Sequence, residues 1–181
     1  MEKDRQFEWM NSSFAFMNIE MPLLGEVQAL GELDIELIEE FSNIKINPIL
    51  EEDLKRKRRY LLLSKLWVLG AYELIRFLND LNKKRNFLED ENKTKLKEIL
   101  TIFSKVRVPL AKFQKSGGDK TLYDGVADSF INPDKGVGWK IYSHEKKELK
   151  EEIFYRNDLG NSLLDLLKEM RKNIEKNASN K

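Results

Sequence analysis

Lys55-Arg56-Lys57-Arg58-Arg59 is a run of five consecutive cations. Clustered cations bind phosphate backbones by releasing condensed counterions, so the run is a candidate nucleic-acid contact. Five residues exceed one helical turn, so the run cannot be buried on every side. It must protrude or face a segment of opposite charge. Tyr60 is the one aromatic beside it, which argues against a base-stacking mode of single-strand binding. A second cluster combines Tyr72, Glu73 and Arg76 with Arg107. Glu73 falls among Leu62, Leu66, Leu69 and Phe77 at helical spacing, and a carboxylate on an apolar face needs a partner. Two readings stand: an ion pair with Arg76 or Arg107 that holds helix register, or the polar lining of a pocket.

Pro133-Asp134 followed by Glu145-Lys146-Lys147 resembles the PD-(D/E)xK nuclease pattern. That resemblance implies Asp134 and Glu145 as holders of a divalent cation and Lys147 as the group that stabilises the attacking water. The plain alternative is a turn followed by a solvated charge run. Arg85-Asn86 resembles the opening of the Arg and His pair of HEPN-type ribonuclease bundles, but no histidine follows within the next turns, so that activity is not carried over. His144, the lone histidine, is given no role. Walker A, GxSxG, HExxH and paired GxGxxG signatures are absent.

The elements that position these groups are mostly helical. Pro22 at a first helical position opens a helix to Phe41, with Leu23, Val27, Leu30, Leu33, Leu37, Ile38 and Phe41 as its stripe and carboxylates on its other faces. Asn47-Pro48 and Glu51-Glu52-Asp53 predict the cap and acidic first turn of a second helix, closed near Lys84 by Lys83-Lys84-Arg85. Between Tyr60 and Leu81 it is apolar nearly all round, as a central bundle helix would be. Gly70-Ala71 suits close approach of a neighbour. A third helix runs from about Glu89 through Leu96, Ile99, Leu100, Phe103 and Val106 to Pro109, with a further turn to Phe113.

Gly117-Gly118 ends it, and 121–135 reads as a loop with one short strand at most. Asn132-Pro133-Asp134-Lys135-Gly136 is a turn. Val137–Tyr142 and Glu152–Tyr155 read as a hairpin, with helix an alternative for 145–152. Leu159, Leu163, Leu166, Leu167, Met170 and Ile174 make the stripe of a last helix, capped at Asn157 or Asp158. The predicted fold class is mainly α: about four helices around one long central helix, with a small β-hairpin near the C-terminus. It is read as a single domain over 1–181: an apolar arm without clear helical period at 1–21, a bundle at 22–115, loop and hairpin at 119–156, a helix at 157–175 and a frayed tail at 176–181.

Charge is balanced overall at plus 1 but segregated along the chain. From Gln6 to Ile44 there are eight carboxylates and no Lys or Arg; from Lys45 to Lys115 there are 18 Lys and Arg against 9 Asp and Glu. Internal neutralisation of the two blocks is the favoured reading, and a field offered to a partner the other. With no cysteine, disulfides, thiolate zinc sites and thiol nucleophiles are excluded. No apolar run has signal-peptide or bilayer-spanning character, so a cytoplasmic location without a membrane segment is expected, and no cofactor or bound metal. The function expected is a non-enzymatic, self-associating helical interaction module whose partner is another protein or a second copy. The alternative is nucleic-acid binding through 55–59, with metal-dependent nuclease activity as its extreme form. Phe7, Trp9, Met10, Phe14, Phe16, Met17, Ile19 and Met21 crowd the arm and must be covered by its own bundle, a second subunit or another protein.

Overall fold

The computed structural model describes residues 2–17, 19–45, 47, 49–112, 127–145 and 148–179. Five α-helices and a 3-10 turn pack with one three-stranded antiparallel sheet: α1 (Glu2–Ser13), the 3-10 turn Phe14–Phe16, α2 (Met21–Phe41), α3 (Glu51–Arg85), α4 (Asp90–Lys112), β1 (Ala127–Asn132), β2 (Gly136–Glu145), β3 (Glu148–Tyr155) and α5 (Arg156–Ser179). Among the described residues no helix is long and apolar enough to cross a membrane.

The mainly helical reading holds, with α3 as the long central helix, and several expectations are corrected. The arm is helical: α1 lies antiparallel on α2, with Trp9 and Phe16 fully buried. Its apolar residues are too unevenly shared between core and solvent to show one clean period. α3 starts at Glu51 behind an extended Leu50, and Asn47 does not cap it. Glu51, Glu52 and Asp53 in the first turn supply the negative charge that a capping side chain would otherwise provide. At its other end Asn86 takes the left-handed conformation and its N–H donates to the Asn82 carbonyl at 2.7 Å, which ends the helix after Lys83-Lys84-Arg85. Pro109 lies inside α4, which continues to Lys112; Phe113 and Gly117-Gly118 lie outside the described residues.

The hairpin is the larger part of a three-stranded sheet. β1 pairs with β2 through Ser129 opposite Trp139, and β2 with β3 through Trp139 opposite Phe154. The segment 127–132 forms a strand of six residues, the one short strand that the reading of 121–135 allowed. Its half-exposed pattern on an edge gave it no clean alternation. The turn fell where the sequence placed it: the Asn132 side-chain oxygen accepts from the N–H of Asp134 at 2.9 Å and of Lys135 at 3.0 Å, and Gly136 takes φ +79°. α5 begins one residue before the expected cap and runs to Ser179, past the expected frayed start at 176.

Trp67 anchors the bundle. Its indole N–H donates to the Leu30 carbonyl at 2.9 Å, its ring lies 6.2 Å from Phe103, and the Arg156 guanidinium sits 5.5 Å over it, so α2, α3, α4 and α5 meet on one side chain. The expectation of a central helix buried all round is corrected. α3 buries Tyr60, Ser64, Trp67, Val68, Ala71, Leu74, Ile75 and Leu78, while Leu62, Leu66 and Phe77 stay between 45% and 55% exposed.

Tyr60 stacks on Phe41 at 6.3 Å and is buried, and its hydroxyl lies against the Val137 backbone without forming a hydrogen bond of ordinary geometry among the described residues. Burial pushes that hydroxyl above its ordinary 10.0. A raised value means that the unfolded chain loses this proton first. The contribution is therefore complete below pH 10.0 and is lost as pH rises through the folded value. Tyr60→Phe removes both this poorly satisfied hydroxyl and its titration. We expect thermal melts near neutral pH to show the variant as stable as the parent or more so, and its loss of stability above pH 10 to be smaller. A variant that melts well below the parent at neutral pH would mean that the hydroxyl is satisfied.

Candidate functional site

α2 carries Asp34 between Leu30 and Leu37, in the middle of its apolar stripe, so the carboxylate points into the core and is fully buried. Around it, the Arg5 Nε donates to Oδ2 at 2.6 Å, the Trp9 indole N–H donates to the same oxygen at 2.9 Å, and Arg156 Nη1 donates to Oδ1. Arg5 reaches on to the Asn161 side-chain oxygen at 2.8 Å, and Arg156 to that of Asn157. One carboxylate thus ties α1, α2 and α5 together. A Cβ on Gly160 would sit 2.9 Å from Asp34 Oδ1, so α5 approaches this close only with glycine there.

Arg156 is itself fully buried; burial pulls its guanidinium down from the usual value while Asp34 opposes the shift. Two cations face one anion, and Arg156 Nε and Arg5 Nη2 are buried with no partner among the described residues. Both carboxylate oxygens are occupied and neither is exposed, so the arrangement is a structural clamp and presents no base to a substrate. The sequence reading missed this cluster and placed the α2 carboxylates away from the core. The signal was present: Asp34 is the one acid in the Leu30, Asp34, Leu37 row.

The basic run occupies the first turns of α3 and partly faces the acidic helix. Arg56 pairs with Glu40 at 3.0 Å, Arg59 with Glu36 at 3.4 Å and Lys55 with Glu51 at 3.0 Å, while Arg58 is exposed; Lys57 also has an interaction partner. α2 and α3 thus neutralise each other along their contact. These exposed pairs contribute about 0–1 kcal/mol each.

Tyr72, Glu73, Arg76 and Arg107 come together on the surface. Arg76 meets Glu73 at 2.6 Å, Arg107 meets it at 3.7 Å, and the Arg107 guanidinium lies 5.0 Å over the Tyr72 ring. Glu73 is half exposed, because the apolar face on which it lies is not core. It edges an open groove of about 450 Å³ between α2 and α3, whose lining includes Pro22, Leu23, Gly70, Leu74 and Phe77. Arg107 and Tyr72 stand outside that lining, so the four residues form an ion-pair and cation-π group and do not line one pocket.

The nuclease-like letters are not brought together. Asp134 is exposed in the turn before β2, and Glu145 ends β2 at its far end, about 30 Å away at the rise of a strand. Lys147 lies outside the described residues. Among the described residues no three Asp, Glu or His side chains converge to hold a metal. Arg85 of the HEPN-like pair contacts the Ile19 carbonyl and Glu20, holding the entry to α2.

The fold and these sites define a mainly α bundle with an appended antiparallel sheet, clamped by a buried Asp and two Arg. No family model matches the chain, and neither characterised proteins nor solved structures show a significant match.

Proposed function

We propose that this chain is a non-enzymatic protein-interaction module that self-associates. The observation that carries the reading is where its large exposed apolar side chains lie. Phe7, Met10 and Phe14 recur at three and four along α1 and its 3-10 turn and make one row, and Met17 and Met21 lie at the reversal into α2, all five between 41% and 61% exposed. Leu62, Leu66 and Phe77 form a second row on α3. Scattered apolar residues on a surface need no explanation, but apolar side chains grouped in rows on α1 and on α3 are what a docking helix covers. A groove of about 410 Å³ between α1 and α2, lined in part by Phe7, Met10 and Ile35, runs beside the first row.

The nucleic-acid alternative rests on the same basic run, of which Arg56 and Arg59 already engage carboxylates of α2. Salt separates the two readings. Solution mass, measured alone and with short DNA or RNA at low and moderate salt, should show association that ignores both nucleic acid and salt. Changing Leu62 and Leu66 to Glu should leave the melting temperature nearly unchanged, since both are exposed, and abolish the self-association. A complex with nucleic acid that dissolves as salt rises would transfer the function to the basic run.

A further inference from the structure

We infer that the exposed row of α3 is the face on which a second copy of this chain docks, the two α3 helices lying antiparallel with Gly70 at their two-fold axis. This rests on the self-association reading and gives it a surface. Leu62, Leu66, Gly70, Glu73 and Phe77 follow one another at four, four, three and four residues, so they share one side of α3 over about 22 Å. All five are exposed.

The row is complementary to itself when reversed. A two-fold at Gly70 places residues equally far on either side opposite one another, to within one position. Leu62 then meets Phe77 of the second copy, and Leu66 meets Glu73, whose charge is already countered by Arg76 and Arg107. Arg59 meets Asp80; within its own chain each is held only by an exposed contact, to Glu36 at 3.4 Å and to Lys83 at 3.0 Å. At the centre Gly70 is exposed in the floor of the α2–α3 groove; a Cβ there would press on Leu30 Cδ2 of α2 at 3.2 Å, so its missing side chain admits α2 and also keeps the middle of the row low for a second backbone. Leu62 opposes Phe77, Arg59 opposes Asp80 and glycine lies at the axis, while Leu66 opposes the carboxylate of Glu73, whose charge Arg76 and Arg107 counter; the row is self-complementary in the sense an isologous interface requires at all but that pair. Besides Leu66 against Glu73, the adverse groups are Glu20 and Glu26, which line that groove and are brought toward the second copy.

The chain contains no cysteine, so Gly70→Cys introduces a single thiol. A disulfide across the axis forms only if the two Cα atoms come within about 7 Å. The full chain, measured for solution mass against concentration, should rise from 21.4 kDa toward two copies. On mild oxidation Gly70→Cys should become a covalent dimer at least about tenfold faster than Ala111→Cys, an exposed position on α4. Arg59→Asp should weaken the dimer, and adding Asp80→Arg should restore it. These two positions lie about 32 Å apart along α3, so rescue can act only between copies. Glu26→Gln should tighten it. A dimer that shows neither preferential cross-linking at residue 70 nor rescue would overturn this interface and leave self-association standing. A mass fixed at 21.4 kDa at every concentration would overturn both.

Discussion

Asp34→Ala should destabilise the chain by about 3–5 kcal/mol, the range for removing one partner from a buried ion pair. The removed carboxylate accepts from Arg5, Trp9 and Arg156, and Arg156 is fully buried. Two guanidinium groups would then share the interior with no anion. Equilibrium denaturant unfolding measures the loss. Amide exchange should show where it falls: protection of α1 should drop most, because α1 is fastened through Arg5 and Trp9, while the middle of α3 keeps its own apolar contacts. The sharper test removes the charges together. Asp34→Leu with Arg5→Met and Arg156→Met should lose less stability than Asp34→Ala alone, since no uncompensated charge remains. A single variant that loses less than about 1 kcal/mol would show that water or a local rearrangement satisfies both arginines, and that the clamp is not what fastens α1.

The parts legible in the sequence are those in which local pattern and tertiary environment agree. α2 and α5 show an apolar stripe that the core does bury, broken in α2 only by Asp34, and the turn at Asn132–Gly136 is set by the Asn132 side chain and a glycine with positive φ. α3 was misread for the opposite reason. Its apolar residues surround the helix, and periodicity cannot say which of two apolar faces the bundle covers. The Trp67 side is core and the Leu66 side is solvent. α1 was missed because five of the eight large apolar residues of the arm face outward, so its pattern looked aperiodic, while Trp9, Phe16 and the Arg5–Asp34 pair carry the docking.

The candidate sites divide in the same way. Glu73 and Arg76 lie one turn apart on one helix, and the structure joins them with Arg107 as the spacing suggested. Asp134 and Glu145 shared only letters, and a single ten-residue strand holds them apart. The buried clamp draws on Arg5, Asp34 and Arg156, which stand 29 and 122 residues apart in sequence, so only the lone acid in the α2 stripe announced it.

Two glycines of α2 should respond in opposite directions to the same change. A Cβ on Gly31 would lie 2.6 Å from both Cβ and Cγ of Trp9, closer than packed atoms come. Trp9 cannot swing away freely, because its indole N–H is bonded to Asp34, and its Cβ moves only with the backbone of α1. Gly31→Ala must therefore push α1 off α2 as a unit. We expect a loss of about 1–3 kcal/mol, the usual cost of overpacking a core, together with earlier proteolytic cleavage within α1. Gly25 lies six residues earlier on the exposed side of the same helix, and a Cβ there meets nothing within 4 Å. Gly25→Ala should stabilise by about 0.4–1 kcal/mol, because alanine has less backbone freedom to lose on folding. Chemical melts of the two single variants decide the matter. If Gly31→Ala unfolds at the denaturant concentration of Gly25→Ala, the close contact of α1 with α2 through Trp9 is wrong.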